Sequence, residues 1–190
     1  MTYNPDFHHR RSIRLKGYDY SRAGAYFVSI CTQNRECLFG EIEDGEMVLN
    51  DAGRMVADSW EWLAEQHDHV SLDECVVMPN HLHGIIVIID GCRGGSRTAP
   101  TGKRKSIGRL IGAFKTVSTK QIDQIRKTPG MKLWQRNYYE HIIRNENELN
   151  RIREYIQSNP LKWEFDRENP AVGAGFKPAQ CGSTVVKGQS

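Results

Sequence analysis

The sequence has no closely spaced pair of cysteines, and that absence argues against two common kinds of small domain. Its five cysteines are odd in number and far apart, at Cys31, Cys37, Cys75, Cys92 and Cys181. Zinc ribbons need CxxC pairs, and disulfide scaffolds need an even set of cysteines. Neither is expected here, and scattered thiols are typical of a reducing compartment.

Long apolar segments are also missing. No run of about 18 apolar residues, the length that spans a bilayer, occurs in the chain. The first residues, MTYNPDFHHRR, contain no apolar core of a secretion signal. The sequence therefore predicts a soluble cytoplasmic protein with no membrane partner.

Net charge is small, at +3, but the basic residues are unevenly spread. They crowd into two clusters, one of Arg10, Arg11, Arg14 and Lys16 and one of Lys103, Arg104, Lys105 and Arg109. Basic clusters on a nearly neutral chain favour a local anionic partner, nucleic acid before membrane. Solvated basic loops would give the same pattern, so either cluster alone leaves both interpretations open.

The 190 residues suit one domain with flanking segments. Residues 1–24 are basic and irregular and are expected to form an N-terminal arm. Residues 25–166 carry the apolar patterns of a folded domain. Residues 167–190 lack such patterns and are expected to be a disordered tail. A Gly-, Pro- and Lys/Arg-rich flexible loop is expected at 91–105.

Hydrophobic periodicity within the domain predicts strands, helices and one small hairpin at Asp44-Gly45. The strands are expected at 25–33, on both sides of a break at 78–80, and at 133–144; the helices are expected at 51–66, from Ser106 onward, and at 145–159. The order strand, helix, strand, strand, helix, strand is that of the ferredoxin-like split βαβ arrangement, an α+β fold with one antiparallel sheet. We expect the helices of this unit on one sheet face, with the other face free for a ligand, and an extra C-terminal helix beyond the unit.

Two histidines one residue apart interrupt the aliphatic run VVMPNHLHGIIVI (76–88). Strand side chains alternate, so His81 and His83 share a face about 7 Å apart, while Leu82 and Ile86 belong to the helix-packed core. Gly84 would allow a close approach to that core. Imidazoles so placed could converge on one metal ion. On its own, HxH is more typical of two hydrogen-bonded histidines on a half-exposed face.

The last predicted helix presents a possible third ligand. Its buried stripe is formed by Leu149, Ile152 and Ile156. Tyr155 and Asn159 are four residues apart and stack along one edge of the stripe. An amide oxygen beside a phenol, facing two histidines, could supply a metal ligand next to a nucleophile. Alternatively, Asn159 only ends the helix, because Pro160 disfavours helical backbone at its predecessor.

Four segments together resemble a known family. The HxH with an apolar middle residue looks like the HUH signature of single-strand nucleases. The segments RRSIRLKGYDYS, VVMPNHLHGIIVI, LWQRNYYEHIIR and REYIQSNP, in that order, resemble the REP-associated tyrosine transposases, relatives of the single-tyrosine insertion-sequence transposases. The resemblance spans the chain from about residue 8 to about residue 165.

The resemblance implies an enzyme that cleaves and rejoins single-stranded DNA at palindromic hairpins through a covalent 5′-phosphotyrosine. It implies Tyr155 as the nucleophile and His81, His83 and Asn159 as ligands of Mg²⁺ or Mn²⁺; ligand type alone allows zinc or manganese. Insertion-sequence relatives have glutamine in place of Asn159, and either amide offers a carbonyl oxygen. A monomer is favoured, with a homodimer left open.

Candidate DNA contacts lie in the arm and beyond it. Basic side chains of the arm could hold phosphates while an aromatic ring stacks on an unpaired base. Two further cations could touch phosphates, although a solvated role fits them equally. These candidates are Arg10, Arg11, Arg14, Lys16 and Tyr18 in the arm, and Lys115 and Arg144 in the domain.

Other interpretations remain open. Tyr138 and Tyr139 are rival nucleophiles on a predicted strand, where one must face the core; we expect both to be structural, with Tyr139 or His141 lining the site. A non-catalytic nucleic-acid-binding module could use the same fold, but RNP-type strands carry aromatics where this chain has histidines. A hydrolase using water would need a carboxylate near the histidines, and Asp90 lies too far along the strand.

Overall fold

The structure is a computed structural model that describes residues 17–90, 105–127 and 130–173. It contains six strands, four helices and two short 3-10 segments in these ranges. They are β1 (Gly24–Cys31), a 3-10 turn (Gln33–Arg35), β2 (Gly40–Glu43), β3 (Glu46–Leu49), α1 (Asp51–Gln66), β4 (Val70–Met78), β5 (His81–Ile88), α2 (Ile107–Arg126), β6 (Tyr139–Ile143), α3 (Glu146–Gln157), a 3-10 helix (Pro160–Phe165) and α4 (Pro170–Gly173).

The main sheet has the strand order β4-β5-β1-β6, and every neighbouring pair is antiparallel. Strand β5 lies between β1 and β4, which α1 connects, so the βαβ unit is split as the sequence predicts. The short strands β2 and β3 form a separate hairpin inserted before α1. Its central residues Asp44 and Gly45 have φ values of 51° and 81°. Positive φ at both positions is typical of the type I′ turn that matches strand twist.

The two sheet faces carry different cores. Tyr26, Leu82 and Ile86 face α1 and α2 and belong to the large cluster, which we call the helix-layer core. The odd-numbered residues Phe27 and Ile85 face the other way and pack in a smaller cluster, which we call the α3-face core. That cluster consists of Phe27, Ile85, Ile143 and Ile156, with Leu149 and Ile152 packed against it. The predicted alternation along β5 and the predicted stripe of α3 are both confirmed.

A close approach between β5 and α1 occurs at Gly84. A Cβ atom at this position would lie 2.4 Å from Cζ2 of Trp60 and 3.0 Å from Cε2 and Cη2 of the same ring. Trp60 is 1% exposed and packs edge-on against Phe114 of α2, with ring centroids 5.5 Å apart. Only glycine leaves room for the indole, which is the role expected for this residue.

The strand predicted at 133–144 is shorter in the structure. Only Tyr139–Ile143 pairs with β1, and Trp134 makes a single isolated bridge to Thr32. The indole N–H of Trp134 donates to Oγ of Ser118 at 2.9 Å, and the ring is buried beside Phe39 and Phe114. These contacts draw the segment into the helix-layer core and away from the ladder, although its composition suits a strand.

The sheet face expected to be free is covered. Helix α3 packs on β4, because its apolar stripe must be buried against the sheet. Residues 167–173, which fall in the predicted tail, include α4 and contact the rest of the fold through the Arg35–Glu168 ion pair at 3.0 Å. The rest of that tail, most of the 91–105 loop and most of the N-terminal arm lie outside the described residues. No helix in the described ranges combines the length and apolar character needed to cross a membrane.

Candidate active site

Two histidine side chains converge at the beginning of β5. His81 and His83 are its first and third residues, so both side chains point toward the α3 face. In the antiparallel pairing with β1, His81 lies beside Cys31 and His83 lies beside Ser29. Their Nε2 atoms are 3.1 Å apart, and the residues are 0% and 4% exposed. The two ring nitrogens therefore converge at a point shielded from solvent, not on a half-exposed surface.

Burial keeps both imidazoles neutral at physiological pH. Desolvation lowers the pKa of His81 to about 4. Desolvation, and then the proximity of His81, lower the pKa of His83 to about 3, against an opposing effect of Asp166. Neutral imidazole is the form that binds metal ions, because it has a free lone pair on one ring nitrogen. Neither histidine would have to lose a proton to accept an ion at pH 7.

Asn145 is the N-cap residue of helix α3. Oδ1 of Asn145 accepts a hydrogen bond from the backbone N–H of Glu148 at 2.9 Å. The Glu148 carboxylate accepts from the backbone N–H of Arg144 at 2.7 Å and contacts Nε2 of His141 at 2.8 Å. It does not close a full capping box on the N–H of Asn145, but it ties the start of the helix to β6.

An ion pair fixes the middle of α3 to the edge strand β4. The guanidinium of Arg153 donates from Nε to Oδ1 of Asp73 at 2.9 Å and from Nη2 to Oδ2 at 2.7 Å. Asp73 lies at the irregular stretch of β4 between Leu72 and Cys75. A two-point contact of this kind sets both the position and the rotation of the helix, two residues before Tyr155.

Tyr155 lies beside the histidine pair. Its hydroxyl is 3.2 Å from Nε2 of His83, and its ring packs edge-on against Phe27 with centroids 6.0 Å apart. The residue is 43% exposed, so its phenol contacts the buried site while part of the ring faces solvent. Burial raises the pKa of Tyr155, the charge of Asp166 raises it further, and a hydrogen bond with Asn159 lowers it. The phenol is therefore protonated at neutral pH.

Asn159 is buried at the end of the same helix. The residue is 3% exposed, and its Oδ1 atom has no hydrogen-bond partner among the described residues. Its amide influences both neighbours, since it raises the pKa of His81 and lowers the pKa of Tyr155. Its backbone stays helical at φ −63° and ψ −42° despite the following Pro160. A buried carbonyl oxygen without a donor is costly unless a cation or another group satisfies it.

Asp166 completes the cluster, although it is not among the site residues predicted from the sequence. Its Oδ2 atom lies 4.0 Å from Nε2 of His81. Potential ligand atoms of His81, His83 and Asp166 all lie within 4.8 Å of one another. The 3-10 helix Pro160–Phe165 brings the chain back to the histidines just before this residue, and the ring of Trp163 lies 5.9 Å from that of His81. The only local signal was an acidic residue following an N-P turn signal by six positions.

The structure separates the two rival tyrosines. The Tyr139 ring lies 6.2 Å from Phe27 on the α3 face and is 49% exposed. Tyr138 packs against the helix-layer core, under the ammonium group of Lys115 at 5.4 Å from its ring centroid. Of the two, Tyr139 lies on the same side of the sheet as the histidines, as the alternation along a strand requires.

The candidate DNA contacts occupy varied environments. Nζ of Lys115 donates to the backbone carbonyls of Gln135, Arg136 and Asn137 at 2.8, 3.4 and 3.2 Å, and burial lowers its pKa to about 8. The Tyr18 hydroxyl lies 3.3 Å from that of Tyr26, and its ring packs on the helix-layer core. Arg144 is exposed. The remaining candidates, Arg10, Arg11, Arg14 and Lys16, lie outside the described residues.

Comparison with known proteins identifies a related sequence and several similar structures. No family model matches the chain. A Haemophilus influenzae protein, named only as uncharacterized, is 45% identical over 175 residues, which cover 87% of this chain and 96% of that protein. A REP-associated tyrosine transposase bound to a REP hairpin superposes with a TM-score of 0.53 at 19% identity, covering 79% of this chain and 74% of that one. A Deinococcus radiodurans protein described as a putative transposase gives a TM-score of 0.45 at 19% identity, covering 77% of this chain and 96% of that one. The first superposition establishes a shared fold.

Proposed function

The chain belongs to the same family as the Haemophilus influenzae protein, and on that premise we propose that it is a metal-dependent tyrosine transposase that acts on single-stranded DNA. One observation carries the proposal: the Tyr155 hydroxyl lies 3.2 Å from Nε2 of His83, which lies 3.1 Å from Nε2 of His81. A protonated nucleophile thus sits next to two neutral, convergent metal ligands. The fold shared with a REP-associated tyrosine transposase supports the proposal that this site is a transposase active site.

The residues present fit a divalent cation. Two buried imidazole nitrogens converge, and the buried Oδ1 of Asn159 has no donor in the part of the chain that the structure describes. Asn159 and Asp166 are the candidates for the remaining protein ligand. Mg²⁺ or Mn²⁺ bound there would hold an oxygen of the scissile phosphate and offset the charge that develops during its displacement.

The residues of the chain account for the covalent step. The Tyr155 oxygen forms a bond to phosphorus, the bond from phosphorus to the 3′ oxygen breaks, and that oxygen takes up a proton from solvent water to leave a free 3′-OH. The phenol proton must leave Tyr155, and we assign as its acceptor the Asp166 carboxylate, which lies within 4.8 Å of the His83 nitrogen beside this hydroxyl. The phosphotyrosine retains the energy of the broken bond, so a 3′-OH can later reverse the step and rejoin the strand.

The proposed substrate is a DNA hairpin with an unpaired foot. The transposase of shared fold is described as bound to a REP hairpin, and we extend that substrate class to this chain. The exposed Arg144 and the basic arm, with Arg10, Arg11, Arg14 and Lys16, are the proposed phosphate contacts. Lys115 and Tyr18 belong to the same proposal, and each would have to exchange its internal contacts for DNA.

Covalent capture tests the proposal. A pool of DNA hairpins with randomised single-stranded feet, labelled at the 3′ end, is incubated with the protein and Mg²⁺ or Mn²⁺. A labelled adduct that survives denaturation is expected, because the tyrosine keeps the 5′ phosphate of the downstream fragment. Tyr155→Phe should abolish the adduct and leave folding unchanged, since it removes one oxygen and almost no volume.

Tyr139→Phe is the matched control. Both tyrosines are about half exposed and both rings contact Phe27, so the two variants perturb packing alike. Tyr139→Phe should retain the adduct. Label mapped to a peptide containing Tyr138 or Tyr139, or no adduct from the whole pool with either ion, would contradict the proposal.

A water-using phosphodiesterase is a second candidate, because Asp166 supplies the carboxylate that such a reaction needs near the histidines. Its signature would be cleavage that survives Tyr155→Phe and leaves no adduct. A non-catalytic binding module of the RNP type would use an open sheet face, and here α3 covers the face that carries the histidines.

A further inference from the structure

We propose that Asn80 is a positioning residue that fixes His81 in a single tautomer, with the proton on Nδ1 and a free lone pair on Nε2. The use of a fixed His81 tautomer in metal binding rests on the proposed function. The geometric basis of the tautomer is independent of that function. Asn80 lies in the turn between β4 and β5, immediately before His81, and is 0% exposed.

The orientation of the Asn80 amide follows from its partners. Nδ2 lies 3.0 Å from the backbone carbonyl oxygen of Arg35 and 2.7 Å from that of Glu168. Carbonyl oxygens only accept hydrogen bonds, so the NH₂ group, with its two protons, must face both of them. If the amide were reversed, its Oδ1 atom would face the carbonyl oxygens of Arg35 and Glu168, and none of these three oxygens can donate a hydrogen bond. Oδ1 is thereby directed to the opposite side.

The orientation of the Asn80 amide determines the tautomer of His81. Its Nδ1 atom lies 2.8 Å from Oδ1 of Asn80, and an amide oxygen only accepts, so Nδ1 must carry a proton. A neutral imidazole has one ring proton, which leaves Nε2 with its lone pair. That atom is the one facing Nε2 of His83 at 3.1 Å. Outer hydrogen bonds of this kind commonly set the tautomer of a metal-binding histidine.

His83 differs from His81 in the environment of its Nδ1 atom. Its Nδ1 atom is buried without a hydrogen-bond partner in the described part of the chain. Without an ion, the proton of His83 is best placed on Nε2, where it donates to the lone pair of His81. With an ion at the site, that proton must move to Nδ1. We therefore expect His81 to keep its tautomer on metal binding and His83 to change.

Asn80 also links the site to the segment that carries Asp166. Its bond to the Glu168 carbonyl holds residues 166–168 beside the β4–β5 turn, and the backbone N–H of Glu168 donates to Oδ1 of Asp166 at 2.7 Å. The buried Asn80 amide thus orients His81 through its acceptor oxygen, and its donor group holds the segment that supplies the Asp166 carboxylate.

Histidine ring tautomers in the full-length, metal-free protein test this directly. In a ¹⁵N-labelled sample, long-range proton–nitrogen correlations distinguish the two neutral tautomers, and His81→Gln identifies the His81 signals. We expect His81 in the Nδ1–H form before and after Mn²⁺ addition. An Nε2–H form or a mixture of forms in the wild type would overturn the proposal, whether or not any variant folds.

A matched pair of variants separates positioning from bulk stability. Asn80→Ala removes the acceptor and should release His81 to a mixture of tautomers, with Mn²⁺ affinity reduced by about 10- to 100-fold in calorimetry. Asn80→Asp keeps an acceptor but loses both donors, so it should keep the Nδ1–H form. An Asn80→Ala protein with an unchanged tautomer and unchanged Mn²⁺ affinity would also overturn the proposal. None of these readouts requires DNA, so a failure of the adduct experiment would reject the transposase function and leave this inference standing.

Discussion

Replacing Gly84 with alanine should destabilise the fold through one identifiable clash. The new Cβ would lie 2.4 Å from Cζ2 of Trp60, whereas carbon atoms pack at about 3.5–4.0 Å, so the indole or the strand must move by more than about 1 Å. Trp60 has little room to do so, because it is 1% exposed and packs against Phe114. Overpacking a closed core costs about 1–3 kcal/mol, and we expect the upper end of that range.

Equilibrium unfolding in urea measures this cost, and the chain offers a control. At Gly112, inside α2, a Cβ would meet nothing within 4 Å. Gly112→Ala should therefore stabilise the protein by about 0.5–1 kcal/mol, the usual gain from replacing glycine in a helix. The double variant Gly84→Ala/Trp60→Leu should lose less stability than the sum of its single variants. A cost below about 1 kcal/mol for Gly84→Ala, or strict additivity in the double variant, would refute the steric explanation.

Three further predictions concern the ion pair, the metal and the arm. The guanidinium of Arg153 holds the pKa of Asp73 below its usual 3.8, so the pair stabilises the fold above that pH and loses its effect as pH falls and Asp73 is protonated. Arg153→Met should therefore lower the free energy of unfolding at pH 7, and the difference from the wild type should vanish in acid. A constant difference down to pH 2 would contradict this. His83→Ala should abolish hairpin cleavage and keep the circular dichroism spectrum, and a chelator should silence the wild type until Mg²⁺ or Mn²⁺ is added; full cleavage in chelator would exclude the metal role. Arg11→Ala with Arg14→Ala should weaken hairpin binding and reduce its logarithmic salt dependence by about one unit per lost phosphate contact, and an unchanged slope would remove the arm from the interface.

Local patterns in the sequence were sufficient for most elements of the fold. A capping residue at Asn50 or Asp51 and the helical spacing that follows it predict α1, which the structure caps with Asn50 and which runs from Asp51 to Gln66. Alternation along β5 places His81 and His83 on one face without any tertiary information. The same reasoning fails for residues 133–138, whose composition suits a strand, because the hydrogen bond of Trp134 to Ser118 is a tertiary contact that no local pattern encodes.

The missing parts of the site share a physical cause. Asp166 reaches His81 from 85 positions away in the chain, through a turn that has no hydrophobic period. Lys115 looks like a solvent-facing cation in the sequence, yet three backbone carbonyls of a distant segment surround its ammonium group. Contacts of this kind depend on where irregular segments pass each other, and only the folded chain fixes that.

The unequal size of the two cores has a consequence for local unfolding. Helix α3 is held by the small α3-face core and by the polar contacts Arg153–Asp73 and Glu148–His141, whereas α1 and α2 share the extensive helix-layer core with the sheet. Opening free energies within one protein range from near zero to the global value, and they are lowest where little apolar surface is buried. Backbone amides of α3 should therefore exchange with solvent water well before those of β1 and β5. Such an excursion would expose histidines that are otherwise almost fully buried, while the sheet that aligns them stays intact.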